Sequence, residues 1–247
     1  MKFIGLIPAR YASTRLPGKP LCDIGGKPMI EHVYNSAAKW EKWTGLYVAT
    51  DDEKIRSCCE ERKIPVIMTR SDHTDCLDRC SEAADKLLDQ GISADRYIII
   101  QGDEPLFNVE TLNTDYRHEN INFYTTINEV DDVPDPNVPK VVVSKTGRAL
   151  YFSRFGVPYA NPKTCRTNGR PVYYKQIGVY AMSLEQLRLY VSLSSTSLEN
   201  FEGIGLNRLL ENDYEIHMAF TEHDSLSVDT EEDRQRVERV YLEGHKG

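Results

Sequence analysis

The amino-acid sequence predicts an α/β fold in which helices flank a mainly parallel sheet. Short apolar runs bounded by proline or polar residues alternate with longer segments whose apolar residues recur at helical spacing. This alternation is typical of βαβ units. The predicted strands cover 3–7, 46–50, 65–68 and 97–100, and the predicted helices cover 30–40, 52–62 and 76–88.

The second half of the chain has a different pattern. Segments 131–139 and 161–171 are polar or proline-rich and predict loops, whereas 140–144, 149–153, 176–182 and 216–220 predict strands. Helices are predicted over 184–193, 198–210 and 230–242. We expect one domain over 1–247, in which 131–182 is an inserted, β-containing subregion and a candidate dimerisation arm.

Composition excludes several classes of protein. The formal net charge of −8 argues against a nucleic-acid-binding protein, which needs a basic face. The N-terminus lacks the pattern of a signal peptide and no run is long enough to span a membrane, so we expect a cytoplasmic protein without membrane insertion. A zinc site at His73, Cys76 and Cys80 is an alternative, but no fourth ligand is evident, and buried small side chains are the favoured interpretation.

A loop rich in cations follows the first predicted strand. Between Pro8 and Pro20 it carries Arg10, Arg15 and Lys19. Backbone N–H groups and fixed cations at such a position form an anion-binding site, and arginine offers a two-pronged contact to phosphate. The spacing is not that of a P-loop. The alternative is a basic turn that is simply exposed to solvent. The position of the loop directly after a strand makes this alternative less favoured.

Two aspartates predict a metal site. Asp103 follows the strand at 97–100, and ligands in parallel sheets bind at the carboxyl ends of strands. Mg²⁺ is commonly held by one or two carboxylates together with phosphate oxygens. Asp229 would be the second carboxylate, although Asp229 or Thr230 could instead cap the final helix. Only the pairing of Asp103 with Asp229 would make a metal site.

With these segments in view, the chain resembles the 3-deoxy-manno-octulosonate (Kdo) cytidylyltransferase family, the CMP-Kdo synthetases. The matching stretches occur in family order across nearly the whole chain: IPARYASTRLPGKPL (7–21), GKPMIEHVY (26–34), VATDD (48–52), MTRSDH (68–73), QGDEP (101–105), ALYFSR (149–154), IGVYA (177–181) and SVDTEED (227–233). The first and the fifth are the most specific.

The resemblance implies a Rossmann-like nucleotidyltransferase fold, a cytoplasmic homodimer, and Mg²⁺-dependent transfer of a cytidylyl group from CTP to an acidic sugar, with release of pyrophosphate. It also implies residue roles. The nucleotide would be bound by Ala9, Arg10, Ser13, Arg15, Lys19, Arg70 and Gln101. Asp103, Lys19 and Arg15 would be catalytic, and Asp103 and Asp229 would hold the metal. The acceptor would contact Arg79, Arg154, Gln176, Tyr180 and Glu199.

Three stretches depart from the family pattern. The usual Ser-Gly-Thr is Asp75-Cys76-Leu77, the usual histidine is Gln176, and a usual Glu-Gln-Leu segment is Gly205-Leu206-Asn207. All three belong to the acceptor side of the family, whereas the nucleotide side is intact. Two alternatives to a Kdo acceptor follow: transfer to a different acid, such as an amino-substituted octulosonate or a phosphonate, or a homologue that binds nucleotide without catalysing transfer.

Overall fold

The computed structural model describes residues 1–12, 16–168 and 171–244, which form a mixed sheet with helices on both faces. The strands are β1 (Phe3–Ala9), β2 (Asp23–Ile24), β3 (Lys27–Pro28), β4 (Trp43–Thr50), β5 (Val66–Met68), β6 (Arg96–Ile100), β7 (Asn120–Thr126), β8 (Lys140–Val143), β9 (Ala149–Ser153), β10 (Tyr174–Met182) and β11 (His217–Phe220). The helices are α1 (Met29–Ala37), α2 (Glu53–Glu61), α3 (Cys76–Asp89), α4 (Pro162–Asn168), α5 (Leu184–Ser192), α6 (Ser197–Glu202), α7 (Leu206–Glu211) and α8 (Glu231–Gly244). None of these described helices combines the length and the apolar character needed to cross a membrane.

The strand order across the sheet is β11-β7-β10-β6-β1-β4-β5. The strands β6, β1, β4 and β5 run parallel, as the alternation of strands and helices predicts. β10 runs antiparallel between β6 and β7, and it also pairs with β8 of the β8–β9 hairpin. The predicted α/β class is confirmed.

The core lies on both faces of the parallel strands. Every side chain of β1 and nearly every one of β6 is buried. Side chains of a strand alternate between faces. Ile7 therefore belongs to the core region that contains apolar residues of α1 and α2, whereas Leu6 belongs to the region that contains those of α3 and α5. Continuous apolar runs are expected for strands covered on both sides.

Two predictions about helices were wrong. The predicted helix over 198–210 is two helices, α6 and α7, separated around Gly203, which has a φ of +61°. A left-handed residue after the last helical turn ends a helix, and apolar Ile204 hides the interruption from a pattern based on periodicity. The segment 161–171, predicted as a loop, contains α4.

Sequence analysis also missed β7, because two asparagines interrupt its apolar pattern. Asn122 is fully buried, and its amide donates to the carbonyl oxygens of Ile177 (3.0 Å) and Val179 (2.7 Å) on β10. The β7–β10 register shifts between Ile177 and Tyr180, so the asparagine satisfies two carbonyl groups at this irregularity.

The segment 131–182 does not form a separate layer. It contributes the β8–β9 hairpin, and its last strand, β10, lies inside the main sheet. The dimerisation role expected for the segment stays a prediction.

Candidate active site

The carboxyl ends of β1 and β6 approach each other closely. β6 pairs with β1 in parallel, and Gly102 is the second residue after β6 ends at Ile100. A Cβ atom at residue 102 would lie 2.4 Å from the carbonyl oxygen of Pro8. Because no side chain fits in this space, glycine lets the loop after β6 run alongside the end of β1, and this places Asp103 beside the N-terminal loop.

Lys19 joins the two predicted metal ligands. Its ammonium group donates to Oδ2 of Asp103 at 2.8 Å and to Oδ1 of Asp229 at 3.0 Å. The lysine side chain is 15% exposed. Burial alone would lower the pKa of Lys19, but the charges of Asp103 and Asp229 outweigh burial and raise it. The three residues therefore form a compact charged cluster in which the lysine stays protonated.

Asp229 is positioned by the loop before α8. The N–H of Val228 donates to the carbonyl oxygen of Asp103 at 2.9 Å, which holds this loop against the end of β6. The start of α8 is capped by another pair, because Asp233 N–H donates to the Thr230 hydroxyl and Thr230 N–H donates to the Asp233 carboxylate. The carboxylate of Asp229 contacts Lys19 instead, so the interpretation of Asp229 as a mere helix cap does not account for its position.

The cluster lies in a cavity of about 430 Å³. The cavity extends from the end of β1 to the first turn of α3 and to β10. Ten of the predicted site residues line it: Ala9, Arg10, Lys19, Arg79, Gln101, Asp103, Arg154, Gln176, Tyr180 and Asp229. Ser13 and Arg15 lie outside the described residues. Residues far apart in sequence are thus brought to one site.

The wall formed by β10 packs closely against the loop after β6 because of a glycine. Gln176, Gly178 and Tyr180 alternate along one face of the strand and line the cavity. A Cβ atom on Gly178 would lie 2.4 Å from Oε1 of Glu104 and 2.8 Å from Cγ of Gln101. The amide of Gln101 donates to the hydroxyl of Tyr180 at 3.3 Å and lies 3.3 Å from Sγ of Cys76. These contacts place the first turn of α3 beside β10.

Similarity to known proteins identifies the family of this chain. A cytidylyltransferase family model matches residues 4–216. The 3-deoxy-manno-octulosonate cytidylyltransferase of Parabacteroides distasonis is 39% identical over 96% of this chain and 97% of its own length. The corresponding protein of Koribacter versatilis is 40% identical over 97% of this chain and 90% of its own length. The solved structure of CMP:2-keto-3-deoxy-manno-octonic acid synthetase complexed with CTP covers 99% of the chain with a TM-score of 0.88 and 33% identity.

The chain belongs to the 3-deoxy-manno-octulosonate cytidylyltransferase family. Its Rossmann-like nucleotidyltransferase fold is confirmed by the same match, since all of the solved structure is covered. The structure of 4-diphosphocytidyl-2C-methyl-D-erythritol synthase, at 13% identity and a TM-score of 0.64, shares the fold alone.

Two arginines that the family resemblance assigns to the acceptor line the cavity, but both are engaged by protein groups. Arg79 is 3% exposed, and its guanidinium lies 3.2 Å from Oδ1 of Asp51 and donates to Thr69 Oγ1 at 2.6 Å. Arg154 donates to the carbonyl oxygens of Pro136 (2.7 Å) and Glu202 (2.8 Å). Arg154 therefore anchors the loops at the mouth of the cavity.

Two other predicted residues of the family site do not line the cavity. The side chain of Arg70 is 68% exposed, and its nearest carboxylates are Asp72 at 3.4 Å and Glu82 at 3.6 Å. Glu199 caps α6 and accepts a hydrogen bond from Nε of Arg208 at 2.9 Å. In this arrangement both residues contact protein groups beside the cavity.

Glu104 is a site residue that sequence analysis missed. Its side chain is buried, and Oε1 accepts a hydrogen bond from the N–H of Gly178 at 3.0 Å. Burial, together with the negative charge of Asp103, raises the pKa of Glu104 to about 7. The only sequence signal was its place in the QGDEP stretch, next to Asp103.

Lys175 was also missed. It lines the cavity from β10 and donates to Oδ1 of Asp224 at 2.8 Å and to the carbonyl oxygen of Ser225 at 2.7 Å. These contacts tie β10 to the loop that leads to Asp229. A lone lysine just before a predicted strand gave no signal of this role.

The zinc alternative gains no support from the described residues. His73 is hydrogen-bonded to Glu82, and Cys80 packs in the core against Leu77 and Ala84. Within the described ranges no group of three or more histidine, cysteine or acidic side chains is arranged to hold a metal ion.

Proposed function

We propose that this protein transfers a cytidylyl group from CTP to 3-deoxy-manno-octulosonate or a close 2-keto-3-deoxy sugar acid. The observation that carries the proposal is the bridge of Lys19 between Asp103 and Asp229, inside a cavity at the carboxyl ends of the parallel strands. Membership of the cytidylyltransferase family supports the choice of reaction and of nucleotide.

The reaction joins the acceptor to the α-phosphorus of CTP. A hydroxyl oxygen of the sugar acid forms the new P–O bond, its proton is lost, and the bond to the β-phosphate breaks with its electron pair leaving on pyrophosphate. Such transfers depend on positioning and charge stabilisation more than on covalent catalysis. Lys19 and Arg10 would stabilise the negative charge on the phosphates. Gln101 would help to position the nucleotide, and Tyr180 would face the acceptor.

The donor set fits Mg²⁺. Asp103 and Asp229 are close enough to share one cation, as their contacts with Lys19 demonstrate. Two carboxylates completed by phosphate oxygens are a usual magnesium environment. We propose that these two residues hold the ion, which when bound neutralises phosphate charge and makes the acceptor hydroxyl more acidic.

The test is a matrix of the four ribonucleoside triphosphates against a panel of sugar acids, with released pyrophosphate as the readout and mass spectrometry to identify the product. We expect release with CTP and a 2-keto-3-deoxy sugar acid, and loss of release when EDTA removes divalent ions. Binding of CTP without pyrophosphate from any pair would refute transfer and favour a nucleotide-binding homologue.

We also propose a cytoplasmic homodimer. Several large apolar side chains between residues 130 and 172 are exposed in the single chain, among them Phe155 (81%) and Tyr159 (79%). Exposed aromatic residues are enriched in the centres of protein interfaces.

Light scattering after size exclusion should give twice the chain mass of 28.2 kDa. The Phe155→Asp variant should elute as a monomer, and a wild-type protein of single-chain mass would refute the dimer.

A further inference from the structure

The acceptor wall contains a buried donor without a partner. Gln176 is 6% exposed, and its Nε2 has no hydrogen-bond partner in the described part of the chain. The residue lines the cavity from β10. Leaving a buried donor unsatisfied costs about 1–3 kcal/mol. Native structures seldom keep such a group without a partner, and the cavity is the space from which a partner can reach Gln176.

A carboxylate lies on the neighbouring wall. Asp75 lines the cavity at the first turn of α3, where Oδ1 accepts a hydrogen bond from the N–H of Leu77 at 2.7 Å. The other oxygen, Oδ2, faces Gly205, where a Cβ atom would come within 2.9 Å of it. Glycine at residue 205 lets the backbone pack closely against both this oxygen and the hydroxyl of Tyr190, 2.5 Å from the same Cβ position, while Asp75 still lines the cavity.

No cation neutralises this carboxylate directly. Among the described residues, no lysine or arginine comes within ion-pair distance of Asp75. The charge of Arg208 acts to lower the pKa of Asp75, but Arg208 itself pairs with Glu199, lies 3.7 Å from Asp78 and stacks over the ring of Tyr190. Burial raises the pKa of Asp75, and the charge of Asp78 adds to this effect. A ligand group that donates a hydrogen bond would stabilise the ionised form.

The two walls meet at one end of the cavity. Gln101 contacts both Cys76, the neighbour of Asp75, and Tyr180, on the same strand face as Gln176. The charge of Asp75 also contributes to the raised pKa of Tyr180, after burial and the effect of Cys76. This acceptor end, Asp75, Gln176 and Tyr180, offers one negative hydrogen-bond acceptor and one neutral donor, whereas the charged end of the cavity lining consists of Arg10, Lys19, Asp103 and Asp229.

We infer that Asp75 and Gln176 determine which sugar acid is used: Asp75 accepts a hydrogen bond from a hydroxyl or ammonium group of the acceptor substrate, and Gln176 Nε2 donates to one of its oxygen atoms. The inference rests on the proposed transfer reaction. It deepens that proposal because the sugar acid must then carry a hydrogen-bond donor that faces Asp75. The carboxylate of Asp75 favours such a donor over an apolar or anionic group at the same position of the sugar acid. Where the donor is an ammonium group, the charge–charge contact gives the larger preference.

The test compares 3-deoxy-manno-octulosonate with its amino-substituted and its singly deoxygenated analogues. With the wild type, kcat/KM should fall at least tenfold for the deoxygenated analogue that lacks the group facing Asp75. The amino-substituted analogue at that position should be used at least as well as the hydroxyl compound. Equal use of all analogues would overturn the inference.

Asp75→Asn separates recognition from a structural role, because asparagine caps a helix as well as aspartate does. Relative to wild type, this variant should lower kcat/KM for the ammonium analogue at least tenfold more than for the hydroxyl compound, while the KM for CTP stays unchanged. Asp52→Asn is the matched control, since Asp52 caps α2 through Lys54 N–H and Ile55 N–H and does not line the cavity. A uniform decrease for all acceptors in Asp75→Asn, matched by Asp52→Asn, would overturn the inference.

Gln176→Met removes the donor and keeps a similar shape. The acceptor KM should rise about tenfold with an unchanged KM for CTP, and the exposed Gln90→Met, at the end of α3, should have no effect. An unchanged acceptor KM in Gln176→Met would contradict the role. If the wild type releases no pyrophosphate with any acceptor, the proposed function fails. If it transfers but the variants keep its acceptor profile, this inference alone fails.

Discussion

The two ends of the cavity differ in how their polar groups are satisfied. At the charged end, Lys19 is bonded to both Asp103 and Asp229, so opposite charges meet within one cluster. At the acceptor end, Gln176 keeps an unpaired amide and Asp75 has no ion-pair partner in the described chain. The comparison teaches that the charged end is held together by contacts between protein groups, whereas Gln176 at the acceptor end keeps a donor that no described protein group satisfies.

The largest expected effect tests the charged end. Asp103→Asn keeps the shape of the side chain but removes one of the two negative charges that Lys19 and a bound cation share. We expect kcat to fall by at least about a hundredfold, equivalent to ~3 kcal/mol, for every acceptor tested. Pyrophosphate release measures the rate, and an unchanged melting temperature shows that the fold is kept. Wild-type turnover in Mg²⁺ would contradict the metal assignment.

The junction between the two ends is tested by Gly178→Ala. A Cβ atom there would lie 2.4 Å from Oε1 of Glu104, so either the carboxylate or β10 must move. We expect a loss of about 2 kcal/mol in the free energy of unfolding, measured by urea denaturation. Gly156→Ala is the comparison, because its nearest contact would be Val133 Cγ1 at 3.1 Å. Equal stability of the two variants would argue against a tight junction.

Arg154→Ala sharpens the assignment of the acceptor end. Loss of the guanidinium releases its bonds to the carbonyl oxygens of Pro136 and Glu202, and this loosens the mouth of the cavity. We expect kcat/KM for the acceptor to fall about tenfold, or ~1.4 kcal/mol, with an unchanged KM for CTP. Arg188→Ala, which removes an exposed arginine paired with Asp85, serves as control. A tenfold rise in the KM for CTP in Arg154→Ala would contradict the assignment of Arg154 to the acceptor end.

The smallest expected effect on stability concerns Glu82, in the helix α3 that begins beside Asp75. Glu82 accepts hydrogen bonds from Lys86 at 2.7 Å and from the N–H of Arg70 at 3.0 Å, and it also bonds His73. Burial would raise the pKa of Glu82, but these bonds outweigh it and lower the pKa to about 2. The ionised carboxylate therefore stabilises the fold above its unfolded pKa of about 4.3, and this contribution is lost as the pH falls towards 2.

We accordingly expect Glu82→Gln to lower the free energy of unfolding by about 1 kcal/mol at pH 7. The difference from wild type should shrink as the pH falls from 4.5 towards 2, as measured by denaturant unfolding at a series of pH values. A difference that stays constant over this range would show that the charge of Glu82 is not responsible.

The parallel half of the fold could be predicted because its strands are buried on both faces and their apolar runs are uninterrupted. The strand β7 could not, since Asn122 is polar in sequence and becomes a core residue only through the carbonyl groups of β10. The break between α6 and α7 was missed because Gly203 acts through its backbone angle, which leaves no mark on hydrophobic periodicity.

The charged end of the site was predictable for a related reason. Parallel strands deliver the residues that follow them to one edge, so the positions after β1 and β6 fix the approach of Lys19 to Asp103. Glu104 and Asp75 gave no such signal. Their roles depend on Gly178 and Gly205, whose backbones pass within contact distance only in the folded chain.

The bridge made by Lys19 also orders events during synthesis. Its two carboxylate partners lie 84 and 210 positions further along the chain, and the second arrives with the segment just before the final helix. A polypeptide still emerging from the ribosome can align β1 with β6 long before Asp229 is available. If the bridge marks the proposed metal site, the pair of carboxylates that would hold the ion is complete only near the end of translation.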